Sequence, residues 1–188
     1  QTYNSKGEKS WDQNSEQMWD QNVTWDDIRW LKKEGCRNLP LIVKGIMTGE
    51  DAILAVEHGA DGVFVSNHGG RGLDGCLASI DVLPEVVSAL KKRGFNVPVL
   101  LDGGVTRGTD VLKALGLGAT AVGLGKMVFY SLACGGEEGV VKMLQMLKTE
   151  TEAAMAICGC ASVKDITENL VTRHPSGGRV VPYIRASL

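Results

Sequence analysis

Four short apolar runs punctuate the chain: PLIVKGI (40–46), GVFVSNH (62–68), PVLLDGG (98–104) and TAVGLGK (120–126), each ending in a polar or glycine tip. Consecutive branched residues without alternation predict parallel strands buried on both faces. Between the runs the apolar positions change to helical spacing. Thr48 with Asp51 three residues on makes a capping-box-like start for a segment ending near His58-Gly59, and Ser79 similarly precedes Ile80, Leu83, Val87 and Leu90. A third helix carries Val111, Leu112 and Leu115, and a long last one sets Val140, Leu144 and Leu147 on one face. The predicted order is βαβαβαβα. Residues 1 to about 23 have no apolar period, only a Trp11-Asp12-Gln13-Asn14 repeat at Trp19-Asp20-Gln21-Asn22, and read as a disordered or loosely docked leader; 176–188 form a tail.

Two architectures use that order, a doubly wound open sheet and a (β/α)8 barrel. A dinucleotide fold puts GxGxxG after its first strand, where this chain has Lys44-Gly45-Ile46. Chemically competent residues instead end several successive strands: Lys44, then Ser66, Asn67 and His68, then Asp102, then Gly125 and Lys126. That distribution favours a barrel. About four βα units are present, so the α/β fold expected is the C-terminal half of a (β/α)8 TIM barrel over 24–175.

Composition narrows the function. The 188 residues carry 20 Lys and Arg against 22 Asp and Glu, a net charge of −2, which gives no excess positive field for nucleic acid or an anionic membrane. Lys126 breaks the apolar stretch AVGLGKMVFY, so nothing approaches the roughly 20 apolar residues of a membrane span. Five scattered cysteines fit reduced thiols in an intracellular compartment, and Cys158-Gly159-Cys160 lacks the spacing of a metal or redox site, so no metal is expected. The polar start has no secretory signal and no initiating Met, as expected of a fragment or processed product, and without that signal the sequon Asn22-Val23-Thr24 is accidental.

The strand tips suggest chemistry. In SNHGGRGLDG a strand delivers His68, and two glycines turn the backbone to present Arg71 beside it. Histidine is the usual general base, and the planar guanidinium fork suits a carboxylate, so the pair fits a small carboxylic acid that loses a proton. His58, at a helix end, and His174, in the tail, carry no such neighbours. DGGVTRGTD ends one strand and opens a helix with free backbone N–H groups aimed at an anion, and LGK repeats the arrangement, which implies a phosphorylated cofactor or substrate. Lys44, a charge ending an apolar strand, is expected to face the site.

From Thr24 to Pro175 these segments resemble the FMN-dependent 2-hydroxy-acid oxidases and dehydrogenases, through TWDDIRWL, LPLIVKGI, DGVFVSNHGGRGLDG, LPEVV and DGGVTRGTDVLKALGLGA, with NLVTRHP pointing to the glycolate-oxidase-like branch. The resemblance implies FMN as cofactor, a small (S)-2-hydroxy acid as substrate, a 2-oxo acid as product, and oxygen as electron acceptor with hydrogen peroxide formed. It implies His68 as the base, Arg71 as the carboxylate anchor, Lys44 near the flavin N1 and C2 carbonyl, and Ser66 on the flavin. Asp102, Gly103 and Gly104, continued by Val105 and Thr106, would hold the ribityl and phosphate part, and Gly125 with Lys126 would close the phosphate site. An intracellular, peroxisomal location follows from the resemblance alone, because Ala186-Ser187-Leu188 lacks the basic middle residue of S-K-L-like tripeptides.

Three positions depart from the family pattern. Thr106 stands where arginine is usual, Lys126-Met127 where arginine and proline are usual, and Gly72 where glutamine is usual. The first two trade bidentate guanidinium for a hydroxyl and a point charge, which Arg107 is available to offset in part. The family's N-terminal barrel half, with its substrate-contacting tyrosines and the aspartate that orients the histidine, has no counterpart in residues 1–23. Two open strand edges invite association, so a homo-oligomer is expected, with activity belonging to the complete barrel. A truncated, non-catalytic paralogue that binds FMN or phosphate weakly or pairs with another half barrel is the alternative.

Overall fold

The computed structural model describes residues 22–173 and 180–182; most of the leader, His174 and the Ala186-Ser187-Leu188 end lie outside the described residues. Helix α1 (Trp25–Trp30) begins where the Asp27 carboxylate accepts from the Thr24 N–H and hydroxyl, and runs into a π-helical turn, Leu31–Gly35. There follow β1 (Ile42–Ile46), α2 (Gly49–Glu57), β2 (Gly62–Val65), α3 (Ser79–Lys92), β3 (Val99–Leu101), α4 (Gly108–Gly116), β4 (Ala121–Val122) and α5 (Lys126–Ile157). The βαβαβαβα order is the one the apolar pattern predicts. Beyond it, β5 (Val171–Arg173) pairs antiparallel with β6 (Val180–Pro182), a small sheet the sequence reading places in no element.

The main sheet is ordered β1-β2-β3-β4 and parallel throughout. A doubly wound sheet reverses its strand order at a switch point; these four strands follow one another without reversal, as barrel strands do. Val63, Val65, Val99 and Leu101 point from the sheet into the helix layer, where they are buried with Ala52, Ala55, Val82, Leu83, Val86 and Leu90. The intervening row, Lys44, Phe64, Leu100 and Ala121 in register, lies on the opposite face and is less covered.

One device in β1 lets Lys44 and Ile46 face opposite ways. In a regular strand Lys44 and Ile46 would share a face. A register shift between them leaves Gly45 as the extra residue, at φ +99°, a bulge conformation that favours glycine. Ile46 therefore enters the core at 3% exposure while Lys44 points to the open face.

One helix start and one helix interior differ from expectation. Thr48 caps α2 as predicted, its hydroxyl accepting from the Asp51 N–H at 3.0 Å. Ser79, expected to cap α3, is its first helical residue; Ala78 occupies the cap and the buried Ser79 hydroxyl is turned to the β2 loop. Helix α5 bends at Gly135-Gly136, where Gly136 has φ +58° and ψ −145°, and its inner row runs through Met143 and Ala154, leaving Leu144 half-exposed. Its second half lies against α4 around Leu112, Ala154, Cys160 and Ile166.

Candidate active site

The site occupies the C-terminal ends of β1, β2 and β3. From β1, Lys44 Nζ donates to Ser66 Oγ at 2.8 Å, stands 3.2 Å from Asp102 Oδ2 and lies 5.5 Å from the Phe64 ring centroid. From β2, Ser66 is 2% exposed, and its oxygen also accepts the His68 N–H at 3.1 Å. One hydroxyl thus joins the Lys44 ammonium to the His68 backbone. Ser66, expected as a direct cofactor contact, therefore acts first as a bridge between two other candidate residues.

His68 opens a short 3-10 turn, His68–Gly70, with φ +55°, a left-handed conformation uncommon for a residue with a Cβ. Its side chain is exposed, and so is that of Arg71, which ends the turn with its N–H on the His68 carbonyl at 3.3 Å. His68 and Arg71 thus stand on one short loop, joined through the backbone, and both face solvent. Gly72 follows in the exposed segment 68–75.

At the end of β3, Asp102 keeps Oδ2 on Lys44 while Oδ1 is buried without a hydrogen-bond partner. A buried, unpaired carboxylate oxygen is costly unless a donor reaches it, and a polyol hydroxyl is such a donor. Gly103 and Gly104 follow at φ +90° and +82°, and a Cβ at Gly104 or Gly125 would meet nothing within 4 Å, so open space lies beside both. The ring-facing ammonium, the orphaned carboxylate oxygen and the open glycine backbone fit a flavin with its ribityl chain. The Val105 side chain that follows is buried in the core.

The phosphate end differs from expectation. The N–H groups expected to be free at the start of α4 are occupied: Thr106 N–H and hydroxyl donate to Asp110 Oδ2 at 3.0 and 3.3 Å, Arg107 N–H donates to the same oxygen at 2.9 Å, and Gly108 N–H donates to Glu150 Oε2 at 2.9 Å. The helix carries its own carboxylate cap, the arrangement Asp three residues into a helix favours. Arg107 does not offset Thr106, because its guanidinium is held by Glu150 at 3.0 Å. The Gly108 N–H, then the Arg107 side chain, hold the Glu150 carboxyl below its ordinary pKa. Lys126, at the first turn of α5 behind Gly125, sends its ammonium to the Gly69 carbonyl at 3.2 Å and so ties the histidine loop to β4's exit. A cavity of about 700 Å³ lies beside this end, lined by Val105, Thr106, Leu124, Met127 and Lys142 among others.

Three residues have structural duties at the site that the sequence reading does not give them: Gly45 is unassigned there, Asn67 is named only among the strand-tip residues, and Ser79 only as a helix cap. Gly45 forms the bulge that parts Lys44 from Ile46, and an isolated glycine inside a strand run is its signal. Asn67 and Ser79 hold the histidine turn, and only their place beside His68 and before α3 hinted at it.

The FMN-dependent dehydrogenase family model matches residues 1–173, the polar leader included. The chain is 53% identical over 154 residues to 2-hydroxyacid oxidase 1 of Mus musculus, covering 82% of this chain and 40% of that protein. A peroxisomal (S)-2-hydroxyacid oxidase of Arabidopsis thaliana is 55% identical over 150 residues, 80% of this chain and 40% of that one. Among solved structures, a flavocytochrome b2 variant with pyruvate bound superposes with a TM-score of 0.79 at 42% identity, covering 87% of this chain and 42% of that chain. The chain therefore spans about 40% of the length of the curated relatives it matches, and the parallel four-stranded unit is part of a barrel. By the match of that family model over residues 1–173, the chain belongs to the FMN-dependent dehydrogenases.

Proposed function

We propose that these βα units supply the base and half of the cofactor cradle for oxidation of a small (S)-2-hydroxy acid to the 2-oxo acid. The observation that carries this reading is the chain Lys44–Ser66–His68 beside the orphaned Asp102 oxygen, on adjacent strand ends. FMN held there would supply a two-electron acceptor, whose electrons, with two protons, would reduce oxygen to hydrogen peroxide. Of the two hydrogens lost from the substrate's hydroxyl and α-carbon, His68 would take one as a proton, and the other would leave for the acceptor or the solvent as the electron pair passes to the acceptor. Arg71 anchors the carboxylate bidentately, which sets the α-carbon toward the base. Lys44 offers positive charge to the flavin ring, Ser66 orders Lys44 against it, and Asp102, Gly103 and Gly104 hold the ribityl chain. Gly125, Lys126, Thr106 and the Val105 backbone border the phosphate. The peroxisomal relative supports the peroxisome as location, and the open edges of β1 and β4 support association with further strands.

A second reading has its own observation. Asp110 and Glu150 already satisfy the start of α4, and Lys126 is engaged by Gly69, which favours weak phosphate binding and a chain that binds FMN without turnover. Titration of the purified chain with FMN, followed by anaerobic addition of glycolate, separates the two. Bound flavin that bleaches supports the oxidase reading; bound flavin that stays yellow supports the second; absence of binding overturns both for this chain.

A further inference from the structure

We infer that Asn67 is a positioning residue for His68, holding the left-handed turn on which the imidazole stands and linking it to the Gly103 loop. The inference rests on the reading of His68 as the base. A residue with a Cβ stays at positive φ only where its surroundings impose it, and Asn67 supplies that constraint. Its Oδ1 accepts from the Gly69 N–H at 3.0 Å and the Gly70 N–H at 3.3 Å, and its own carbonyl accepts the Gly70 N–H at 3.0 Å. The side chain is itself fixed from the far side. Its Nδ2 donates to the Leu77 carbonyl at 3.3 Å, and its N–H donates to the buried Ser79 hydroxyl at 3.2 Å. Asparagine suits the position because it both accepts from the turn and donates to Leu77; alanine can do neither.

The same amide touches the cofactor loop. A Cβ on Gly103 would fall 2.9 Å from Asn67 Oδ1 and 2.9 Å from Ser79 Oγ, too close for either to stay where it is. The β3 loop and the histidine turn are therefore in contact through Asn67, so a displacement on the cofactor side is transmitted to the base.

The test uses the full chain, isotopically labelled. In Asn67→Ala, amide exchange at Gly69 and Gly70 is expected to quicken about fivefold or more, and the His68 Cα and Cβ shifts to leave the left-handed range, while Val65 and Leu101 keep their protection. Asn67→Asp, which retains the acceptor, is expected to keep the turn. Gly103→Ala is expected to loosen Gly69 and Gly70 from the next strand over. An unmoved turn in Asn67→Ala overturns the inference, and where that variant fails to fold, an unmoved turn in Gly103→Ala does so. With FMN bound, Asn67→Ala is expected to slow anaerobic flavin reduction by glycolate by roughly tenfold or more at unchanged half-saturation; unchanged reduction with a lost turn also overturns it. A wild-type chain that never reduces flavin would sink the functional reading, while the exchange and shift data would still decide whether Asn67 holds the turn.

Discussion

Lys44 and Asp102 form an ion pair at 3.2 Å although β2 separates their strands. Two strand spacings of nearly 5 Å each lie between the backbones, so the long lysine side chain crosses above Phe64 to reach the carboxylate. Lys44 stands in register with Phe64 on the open face, and the bulge after it, at Gly45, returns Ile46 to the core.

Removing the charge tests what the pair is for. The Lys44 side chain is 45% exposed and that of Asp102 21%, so the pair is solvent-screened and contributes at most about 1 kcal/mol to folding. Lys44→Met is expected to leave the urea midpoint nearly unchanged and to weaken FMN binding. A large loss of stability with unaltered FMN affinity would mean that the pair is structural.

How far the sequence discloses this arrangement depends on whether a signal is local. The four strands were legible because buried parallel strands leave unbroken apolar runs, and their sheet ends close to where the polar tips begin. The run TAVGLGK shrinks to Ala121–Val122, paired with β3, and Lys126 passes into α5. His68, Arg71 and Lys44 were legible as charges set against glycines and apolar runs. The capping of α4 was not: Asp110 is visible three residues beyond Arg107, but Glu150 reaches Gly108 from 42 residues away, through the fold. Ser79 shows the same limit, since a serine before an apolar helix looks like a cap until Asn67 is seen to claim its hydroxyl.

The approach of α4 to α5 gives a second prediction. A Cβ on Gly108 would fall 2.2 Å from the Thr151 nitrogen and 2.4 Å from the Glu150 carbonyl carbon, both backbone atoms that no rotamer change can move. Gly108→Ala is expected to force the helices apart and cost about 1–3 kcal/mol, read as a lowered urea midpoint at unchanged slope. Gly104→Ser is the contrasting case sterically, with open space but a φ of +82°; its cost is conformational and smaller, about 1 kcal/mol.

Thiol chemistry separates the cysteines by burial. Cys134 is exposed on α5, whereas Cys160 is buried beside Leu112 and Ile166, and that burial raises its pKa. A thiolate is the nucleophile, so both access and ionisation disfavour Cys160. Timed iodoacetamide labelling with peptide mass spectrometry is expected to modify Cys134 first and Cys160 only on unfolding. Early modification of Cys160 would show that the α4–α5 core opens readily.

Acid should loosen two carboxylate clamps, one remote from the candidate site at Asp61 and one at its phosphate end at Glu150. Asp61 accepts from Lys32 Nζ and from the Leu41 N–H, and the lysine bond, then the backbone bond, lower its pKa; Glu150 is lowered by Gly108 and then Arg107. A carboxylate whose folded pKa is depressed contributes stability that is fully present above the ordinary carboxylate range and lost as the pH falls through the folded value. Urea midpoints are therefore expected to fall from about pH 4.5 downward, and less steeply in Asp61→Asn and Glu150→Gln. The gap between wild type and each variant should be widest near neutrality and close as the acid protonates the native carboxylates. Both groups reach solvent, so raised salt should narrow the gap too. A gap that stayed constant from neutral to acid pH would show that the substitutions act through packing rather than through charge.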